Sequence, residues 1–175
     1  DGALFVADSG NHCIRRVDEE GKISRFIGAG SLGDDYIGKA DQIDLNHPVG
    51  LTIGDDGHYY LASWHNWKIK MIDAQSYETS AVVGTTQGLA GDGGVATEAK
   101  MDLPNTVLFD YDGNMYISDQ GKQRVRIVSA GGMISTLTGA EAGFADGAFE
   151  DARFNLPVGP DASPGGKMAM NDDRT

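Results

Sequence analysis

The chain has little of what several protein classes depend on. Its 175 residues contain a single cysteine, Cys13, which excludes an internal disulfide framework. No apolar run approaches the roughly 18 to 20 residues that a membrane-spanning helix needs. Basic residues are also scarce, because 14 Lys and Arg stand against 26 Asp and Glu for a net charge of −12. That balance disfavours a nucleic-acid partner, since proteins that bind nucleic acids present a clustered basic face.

Glycine, in contrast, is abundant, and it accompanies an internal repeat. The chain has 25 Gly, so we expect many turns. Asp1, Asp56 and Asp112 each precede a glycine and are 55 and 56 residues apart. A short apolar run, a polar turn and a run of alternating apolar and basic residues follow each of them. A fixed period of this length indicates an array of similar structural units. The connecting segments also align, without gaps, over 38–48, 94–104 and 147–157.

Each unit predicts four β-strands. The Asp-Gly pair joins the first strand to the second, and this pair between apolar runs is the strongest short signal for a hairpin. The third and fourth strands follow after polar or glycine-containing turns. Such units are the blades of a β-propeller. The predicted fold is therefore all-β, with four-stranded antiparallel blades at approximately 2–28 (partial), 48–84, 104–139 and 157–175 (partial).

The repeated strings resemble a known family, the NHL repeats of the bacterial type. The resemblance lies in the strand strings LFVADSGNHCIRRV and NMYISDQGKQRVRIV and in the linkers GLAGDGGVATEAKMDLP and GFADGAFEDARFNLP. It covers nearly the whole chain and implies a propeller, commonly of six blades. The second copy departs from the pattern at Ser63, Trp64, His65 and Trp67, where Asp and Gly are usual. Pro160 falls inside the predicted first strand of the fourth copy, where it removes a backbone donor.

The predicted strands do not close a ring. The first copy supplies three strands, the two full copies supply four each and the last supplies two, which is about three and a quarter blades. A propeller has at least roughly four blades. We therefore expect an incomplete ring. Either the segment is a fragment whose repeats continue on both sides, or self-association of the chain closes the ring.

The long linkers predict an acidic rim. Hairpin connectivity places the linkers and the turns between second and third strands on one rim of the disc, opposite the Asp-Gly turns. Over 28–47, 84–103 and 139–156 the linkers hold eleven acids and three bases, a net charge of −8. Such a rim would attract cations and basic partners. The alternative is that these are solvated loop charges that keep an edge-rich β protein soluble. The acids that represent this rim are Asp34, Asp35, Asp92 and Asp146.

No catalytic residue, metal ligand or cofactor site is predicted. The four histidines lie at repeat positions that do not recur, whereas ligands converging on the propeller axis would come from equivalent positions. Catalytic zinc needs three such ligands. The resemblance leaves an enzymatic alternative open, a metal-dependent lyase or lactone hydrolase whose active-site residues lie in blades outside this segment. An enzyme is the less favoured interpretation.

The clearest break in the repeat is the turn after the second strand of the second copy. Trp64, His65, Asn66 and Trp67 replace the small polar turns of the neighbouring copies. Tryptophan combines apolar area with a hydrogen-bond donor and is enriched at interaction hot spots. Together with His47, these four residues form the candidate ligand-binding site. The alternative is that one tryptophan packs between blades.

The predicted function is a binding scaffold for a protein, peptide or glycan ligand, which would bind through the acidic linker face. No cofactor, nucleic-acid partner or membrane span is expected. The expected location is the extracellular space or the cell envelope of a bacterium. The fold alone does not carry this prediction, because one fold hosts many functions.

Overall fold

A computed structural model describes residues 2–159, which form three antiparallel β-sheets. The strands are β1 (Leu4–Asp8), β2 (Cys13–Val17), β3 (Ile23–Ile27), β4 (Gly38–Lys39), β5 (Pro48–Ile53), β6 (Tyr59–Ser63), β7 (Lys68–Ile72), β8 (Glu78–Val83), β9 (Gly94–Val95), β10 (Pro104–Phe109), β11 (Met115–Asp119), β12 (Arg124–Val128) and β13 (Met133–Thr138). The sheets have the strand orders β1-β2-β3, β5-β6-β7-β8-β4 and β10-β11-β12-β13-β9. We call them blade 1, blade 2 and blade 3.

Each sheet is an up-and-down meander, as predicted. In blade 2 every consecutive pair from β5 to β8 is antiparallel, and blade 3 repeats this pairing from β10 to β13. The β6–β7 hairpin keeps an unbroken register from Tyr59 opposite Ile72 to Ser63 opposite Lys68. The prediction of a propeller with four-stranded antiparallel blades is confirmed. The predicted fourth copy, including Pro160, lies outside the described residues from position 160 onwards.

The linkers add a strand that the sequence pattern did not show. β4 pairs with β8, the outer strand of blade 2, and β9 pairs with β13, the outer strand of blade 3. Each added strand is two residues long, which is too short for an alternating pattern to be recognised. Each of these two linkers therefore joins the outer edge of the next blade before it enters that blade's inner strand.

The hydrophobic core lies between consecutive blades. One cluster joins Ile14 and Ile27 of blade 1 to Leu61 and Ile72 of blade 2, and a second cluster joins blade 2 to blade 3. The linkers pack between the blades and complete both clusters. We call each such contact of blade, linker and next blade a junction. The linker side chains in the two junctions are Ala40, Ile43 and Leu45 in the first and Ala96, Ala99 and Met101 in the second.

A 3₁₀ turn joins the second and third strands of each blade and lies beside a linker. The backbone N–H of His65 donates to the carbonyl of Asn46 at 3.2 Å, and that of Gly121 donates to Asp102 at 2.8 Å. Turns and linker ends therefore share one rim, the linker rim, which is the arrangement that the connectivity predicted. Within residues 2–159, no helix has the length and apolar character needed to cross a membrane. The turns are Ser9–Asn11, Trp64–Asn66 and Gln120–Lys122.

Candidate ligand-binding site on the linker rim

Four rings from blade 1, blade 2 and the linker between them form a row on the linker rim. His12 follows the turn of blade 1, His47 ends the linker, and Trp64 and His65 open the turn of blade 2. The ring centroids of His12 and His47 are 4.7 Å apart, and those of His47 and His65 are 4.8 Å apart. Trp64 stacks on His65 at 4.2 Å. All four side chains are half-buried, so the row presents a continuous aromatic surface.

Two of the four residues in this row have a left-handed backbone. His12 has a φ of 52° and His47 a φ of 49°. Non-glycine residues seldom adopt such angles, and a packed surrounding structure is needed to hold them. Because the angle recurs in every blade, it belongs to the repeat, and the side chain is free to vary. The equivalent residues, all with positive φ, are Trp67 and Gln123 for His12 and Leu103 and Leu156 for His47.

Hydrogen bonds orient the three imidazoles. The backbone N–H of His47 points at Nδ1 of His12 at 3.4 Å, so this nitrogen accepts. Nδ1 of His47 lies 2.7 Å from Oδ1 of Asn46 and 3.1 Å from Nδ1 of His65. Because an amide oxygen only accepts, His47 carries a proton on Nδ1, and Nδ1 of His65 is then an acceptor. Burial and the neighbouring His47 lower the pKa of His65, which favours the neutral imidazole that this arrangement needs.

The two tryptophans have different surroundings. Nε1 of Trp64 donates to Oε1 of Gln120 at 3.0 Å, which connects the turn of blade 2 to the turn of blade 3. Nε1 of Trp67 is buried and has no hydrogen-bond partner within the described part of the chain. Buried indole donors usually have a partner. Trp67 therefore retains an unused donor two positions after His65.

Asn66 holds the linker in place. It is buried, and its Oδ1 accepts the backbone N–H of Asn46 at 2.9 Å. In blade 3 the equivalent bond runs from the N–H of Asp102 to Oδ1 of Asp119, at 2.7 Å. Blade 2 has Ser63 at the position of Asp119, and Asn66 supplies the acceptor instead. The geometry thus gives Asn66 a positioning role at the end of the linker.

The rim acids of the first linker are bound to other groups of the chain. Oδ2 of Asp34 lies 2.6 Å from Nζ of Lys68, and its Oδ1 lies 3.4 Å from Nζ of Lys70. Both lysines are fully buried. Burial lowers the pKa of Lys70, although Asp34 opposes that shift. The carboxylate of Asp35 accepts a backbone N–H at 2.7 Å.

The acids of the other two linkers differ from one another. Asp92 pairs with the guanidinium of buried Arg126 and accepts a hydrogen bond from Oγ1 of Thr136 at 2.7 Å. Asp146 is exposed. Cations from the third strands thus lie beneath the first two linkers, so the rim is less negative than the linker residues alone imply.

The structure also adds residues that sequence reasoning left out. His12 joins the row although its repeat position differs from that of His47, because the turn of one blade meets the linker that enters the next. One sequence signal could have pointed to His12, since it stands at the same repeat position as Trp67, which was already a candidate. Gln120 and Asn46 carry no such signal. In residues 2–159 no group of three or more His, Cys, Asp or Glu is arranged to hold a metal ion. The predicted site residues that the structure brings into contact are His47, Trp64 and His65.

Comparisons with known proteins point to repeat-built propellers. No family model matches the chain. Teneurin-1 of Caenorhabditis elegans is 26% identical over 147 residues, which are 78% of this chain and 5% of the teneurin. NHL repeat-containing protein 2 of Homo sapiens is 31% identical over 104 residues, which are 58% of this chain and 14% of that protein. An auxiliary nutrient binding protein from Bacteroides thetaiotaomicron superposes with a TM-score of 0.64 at 19% identity, over 89% of this chain and 39% of the other.

The antiparallel sheets of this chain repeat and pack face to face through their linkers. This arrangement is that of the β-propeller proteins. The strand and linker strings, together with the likeness to NHL repeat-containing protein 2, narrow the class further. The chain is a β-propeller protein built from repeats that resemble NHL repeats. It spans less than half the length of each relative described above.

Proposed function

We propose that the chain binds a protein, peptide or glycan ligand on the linker rim, at the junction of blades 1 and 2. One observation carries this proposal: the row of half-buried rings formed by His12, His47, His65 and Trp64, with neighbouring centroids 4.2 to 4.8 Å apart. The corresponding turns of blades 1 and 3 have a glycine, Gly10 or Gly121, where blade 2 has His65.

The row combines two modes of recognition. The faces of Trp64 and the imidazoles offer stacking area for a sugar ring or an apolar side chain. Ring nitrogens of the imidazoles offer directed hydrogen bonds, which fix the orientation of a ligand. The linker acids add acceptors for hydroxyl and ammonium groups. Asn66 and Asn46 hold the backbone beneath the row.

The likeness to a nutrient-binding propeller supports a binding role at the level of the fold. The site itself is argued from residues of this chain, because a fold hosts many functions. An extracellular or envelope location stays a prediction, and so does the preference for a basic ligand.

The two tryptophans make this proposal testable by fluorescence. The chain contains only two Trp, Trp64 in the row and Trp67 three positions after it, so indole emission reports on the row and on the turn that carries it. We would titrate the protein with a panel of neutral oligosaccharides and short basic peptides. A panel member that binds the row should shift the emission. Calorimetry should then show affinity about tenfold weaker, or worse, for Trp64→Ala and for Trp67→Ala, which corresponds to about 1.4 kcal/mol.

Tyr111→Ala is the matched control. Tyr111 is an exposed aromatic residue in the turn between β10 and β11, on the rim opposite the site. This variant should bind like the wild type. Ligands that bind all three variants with unchanged affinity would contradict the proposal.

A further inference from the structure

Two imidazole nitrogens face one another in the row of rings on the linker rim. Nδ1 of His47 and Nδ1 of His65 are 3.1 Å apart, and Oδ1 of Asn46 lies 2.7 Å from the same nitrogen of His47. The single N–H of His47 therefore faces two acceptors. Imidazole nitrogens are preferred ligands of Cu²⁺, Ni²⁺ and Zn²⁺. A group with two acceptors and one donor hydrogen has lone pairs left over for a cation.

The distance between the two nitrogens suits a shared metal ion. A bond from zinc to a histidine nitrogen is about 2.0 to 2.1 Å long, so two such ligands of one tetrahedral ion lie about 3.3 Å apart. The distance of 3.1 Å between the Nδ1 atoms of His47 and His65 is close to this value. The ring planes meet at 81°, so the two rings approach the space between the nitrogens from different directions. Small side-chain movements are therefore enough to admit an ion.

Contacts within the chain hold the two segments that carry these ligands. The backbone N–H of His65 donates to the carbonyl of Asn46 at 3.2 Å. The backbone N–H of Asn46 in turn donates to Oδ1 of buried Asn66 at 2.9 Å. Trp64 stacks on the ring of His65 at 4.2 Å. The ligands are therefore held in place before an ion arrives, which lowers the entropy cost of binding it.

The junction of blades 2 and 3 has the same backbone contact without these ligands. There the N–H of Gly121 donates to the carbonyl of Asp102 at 2.8 Å. Leu103 stands at the repeat position of His47, and its φ of 56° matches the 49° of His47. The repeat thus builds this contact with a leucine and a glycine. Both imidazoles are additions to the repeat at one junction, which points to a role beyond holding the blades together.

The third imidazole of the row, His12, positions the backbone. Its Nδ1 accepts the backbone N–H of His47 at 3.4 Å. Gln123 stands at the repeat position of His12, and its Oε1 accepts the equivalent N–H, that of Leu156. His12 therefore has a role that the repeat also fills with glutamine. The ligand set accordingly comprises two imidazoles and an amide oxygen, and within residues 2–159 no group of three His, Cys, Asp or Glu is arranged around an ion.

We propose that His47 and His65 bind one divalent transition metal ion through their Nδ1 atoms, with Oδ1 of Asn46 as a third ligand and water at the remaining positions. The ion belongs to the class that imidazole favours, Cu²⁺, Ni²⁺ or Zn²⁺. Binding moves the proton of neutral His47 from Nδ1 to Nε2, so both imidazoles stay neutral and the site releases no proton. The proposal is independent of the ligand proposed above, because the site needs only the metal ion.

Titration with Cu²⁺ alone tests this proposal. Calorimetry in excess Mg²⁺, which occupies carboxylate sites, should show one bound Cu²⁺ per chain, and emission of the stacked Trp64 should be quenched in step. His47→Leu and His65→Gly restore the residue types of the junction of blades 2 and 3, so circular dichroism should show an unchanged fold. Each should weaken Cu²⁺ binding at least about tenfold, because loss of even an outer-shell partner costs about that much.

His12→Gln is the matched control, because Gln123 makes the equivalent hydrogen bond in blade 3. This variant removes an imidazole of the same row and should bind Cu²⁺ like the wild type. Electron paramagnetic resonance of the wild-type complex should show two nitrogen ligands. Cu²⁺ affinity that both His47→Leu and His65→Gly leave unchanged would mean adventitious surface binding only and would overturn the proposal. Loss of binding in His12→Gln would equally overturn the assigned pair, and neither result bears on ligand binding by the row, since no organic ligand is present.

Discussion

At the scale of single residues, the linker rim shows how a repeat accommodates changed side chains. Blade 3 holds its linker with Asp119, and blade 2 replaces this residue by Ser63 and obtains the same backbone contact from Asn66. The cation beneath the linker changes in parallel, from Arg126 in blade 3 to lysines in blade 2. Each of these replacements preserves a bond to the linker. These residues therefore hold the backbone beneath the row of rings in place.

A first prediction concerns Asp34, which neutralises two buried lysines. Asp34→Ala should lower the free energy of unfolding by about 2 to 3 kcal/mol, because it leaves buried ammonium groups without their counter-charge while the carboxylate itself is partly exposed. Urea unfolding measures this change. Asp41→Ala, at an exposed position of the same linker, should change stability by less than about 0.5 kcal/mol. Equal effects of the two substitutions would contradict the burial argument.

A second prediction concerns the pH dependence that His65 contributes. Burial and His47 hold the pKa of His65 below its usual value of 6.5. The unfolded chain therefore binds more protons than the folded chain between the two pKa values, and the stabilisation from neutral His65 is lost as the pH falls through that window. NMR titration of the four histidines should show a midpoint below 6.5 for His65, assigned with His65→Gln. A midpoint at or above 6.5 would show that the imidazole row is solvated.

At the scale of elements, a glycine follows the fourth strand of each blade and packs against the turn between the second and third strands. Gly28, Gly84 and Gly139 all have positive φ. A Cβ at these positions would lie 2.2 to 2.5 Å from a carbonyl oxygen of the turn. The close approach ties the start of each linker to the left-handed residue of the turn. This contact therefore fixes the position of the backbone that carries the candidate site.

This contact gives a third prediction. Gly84→Ala should lower the free energy of unfolding by about 3 kcal/mol, since its Cβ would lie 2.3 Å from the carbonyl oxygen of Trp67 and its φ is +89°. Gly10→Ala is the control, because a Cβ there meets nothing within 4 Å. Thermal unfolding of the two variants makes the comparison. A Gly84→Ala variant as stable as Gly10→Ala would mean that the turn can move away.

At the scale of the whole molecule, stability comes from contacts between neighbouring blades. The two buried clusters lie in the two junctions, and blade 2 contributes side chains to both. Within residues 2–159, blade 1 is covered on one side only. Arrays of this kind behave as a sum of units and nearest-neighbour interfaces. Local stability should therefore vary along the chain.

Hydrogen exchange gives a fourth prediction at this scale. The third strands of blades 1 and 2, β2 and β7, occupy the same place in their blades, but β7 faces a neighbour on each side. Amides of β7 should therefore exchange at least about tenfold more slowly than those of β2. Equal exchange would contradict a junction-based core.

Much of the fold could be predicted from the sequence, because the repeat aligns each strand with two others. The Asp-Gly hairpins, the four-stranded meander and the shared rim of turns and linkers follow from pattern and connectivity. The linker strands β4 and β9 could not be predicted, since two residues carry no period. For the site, Trp64, His65 and His47 were recognised as breaks in the repeat. His12 was not, because its contact with His47 depends on how blade 1 packs against the linker.

The sequence by itself determined the repeat, the all-β class and the position where the repeat breaks, because these depend on order along one chain. Only the tertiary structure decided which charges are paired and which side chains are buried. Lys68 and Lys70 lie more than thirty positions from Asp34 in the sequence, yet they meet it beneath the linker. The exposed sides of Val6 and Phe149 likewise become apparent once the equivalent side chains of the other blades are seen to be buried. Burial is a property of the neighbours in space, and the repeat supplies those neighbours at the two junctions within residues 2–159.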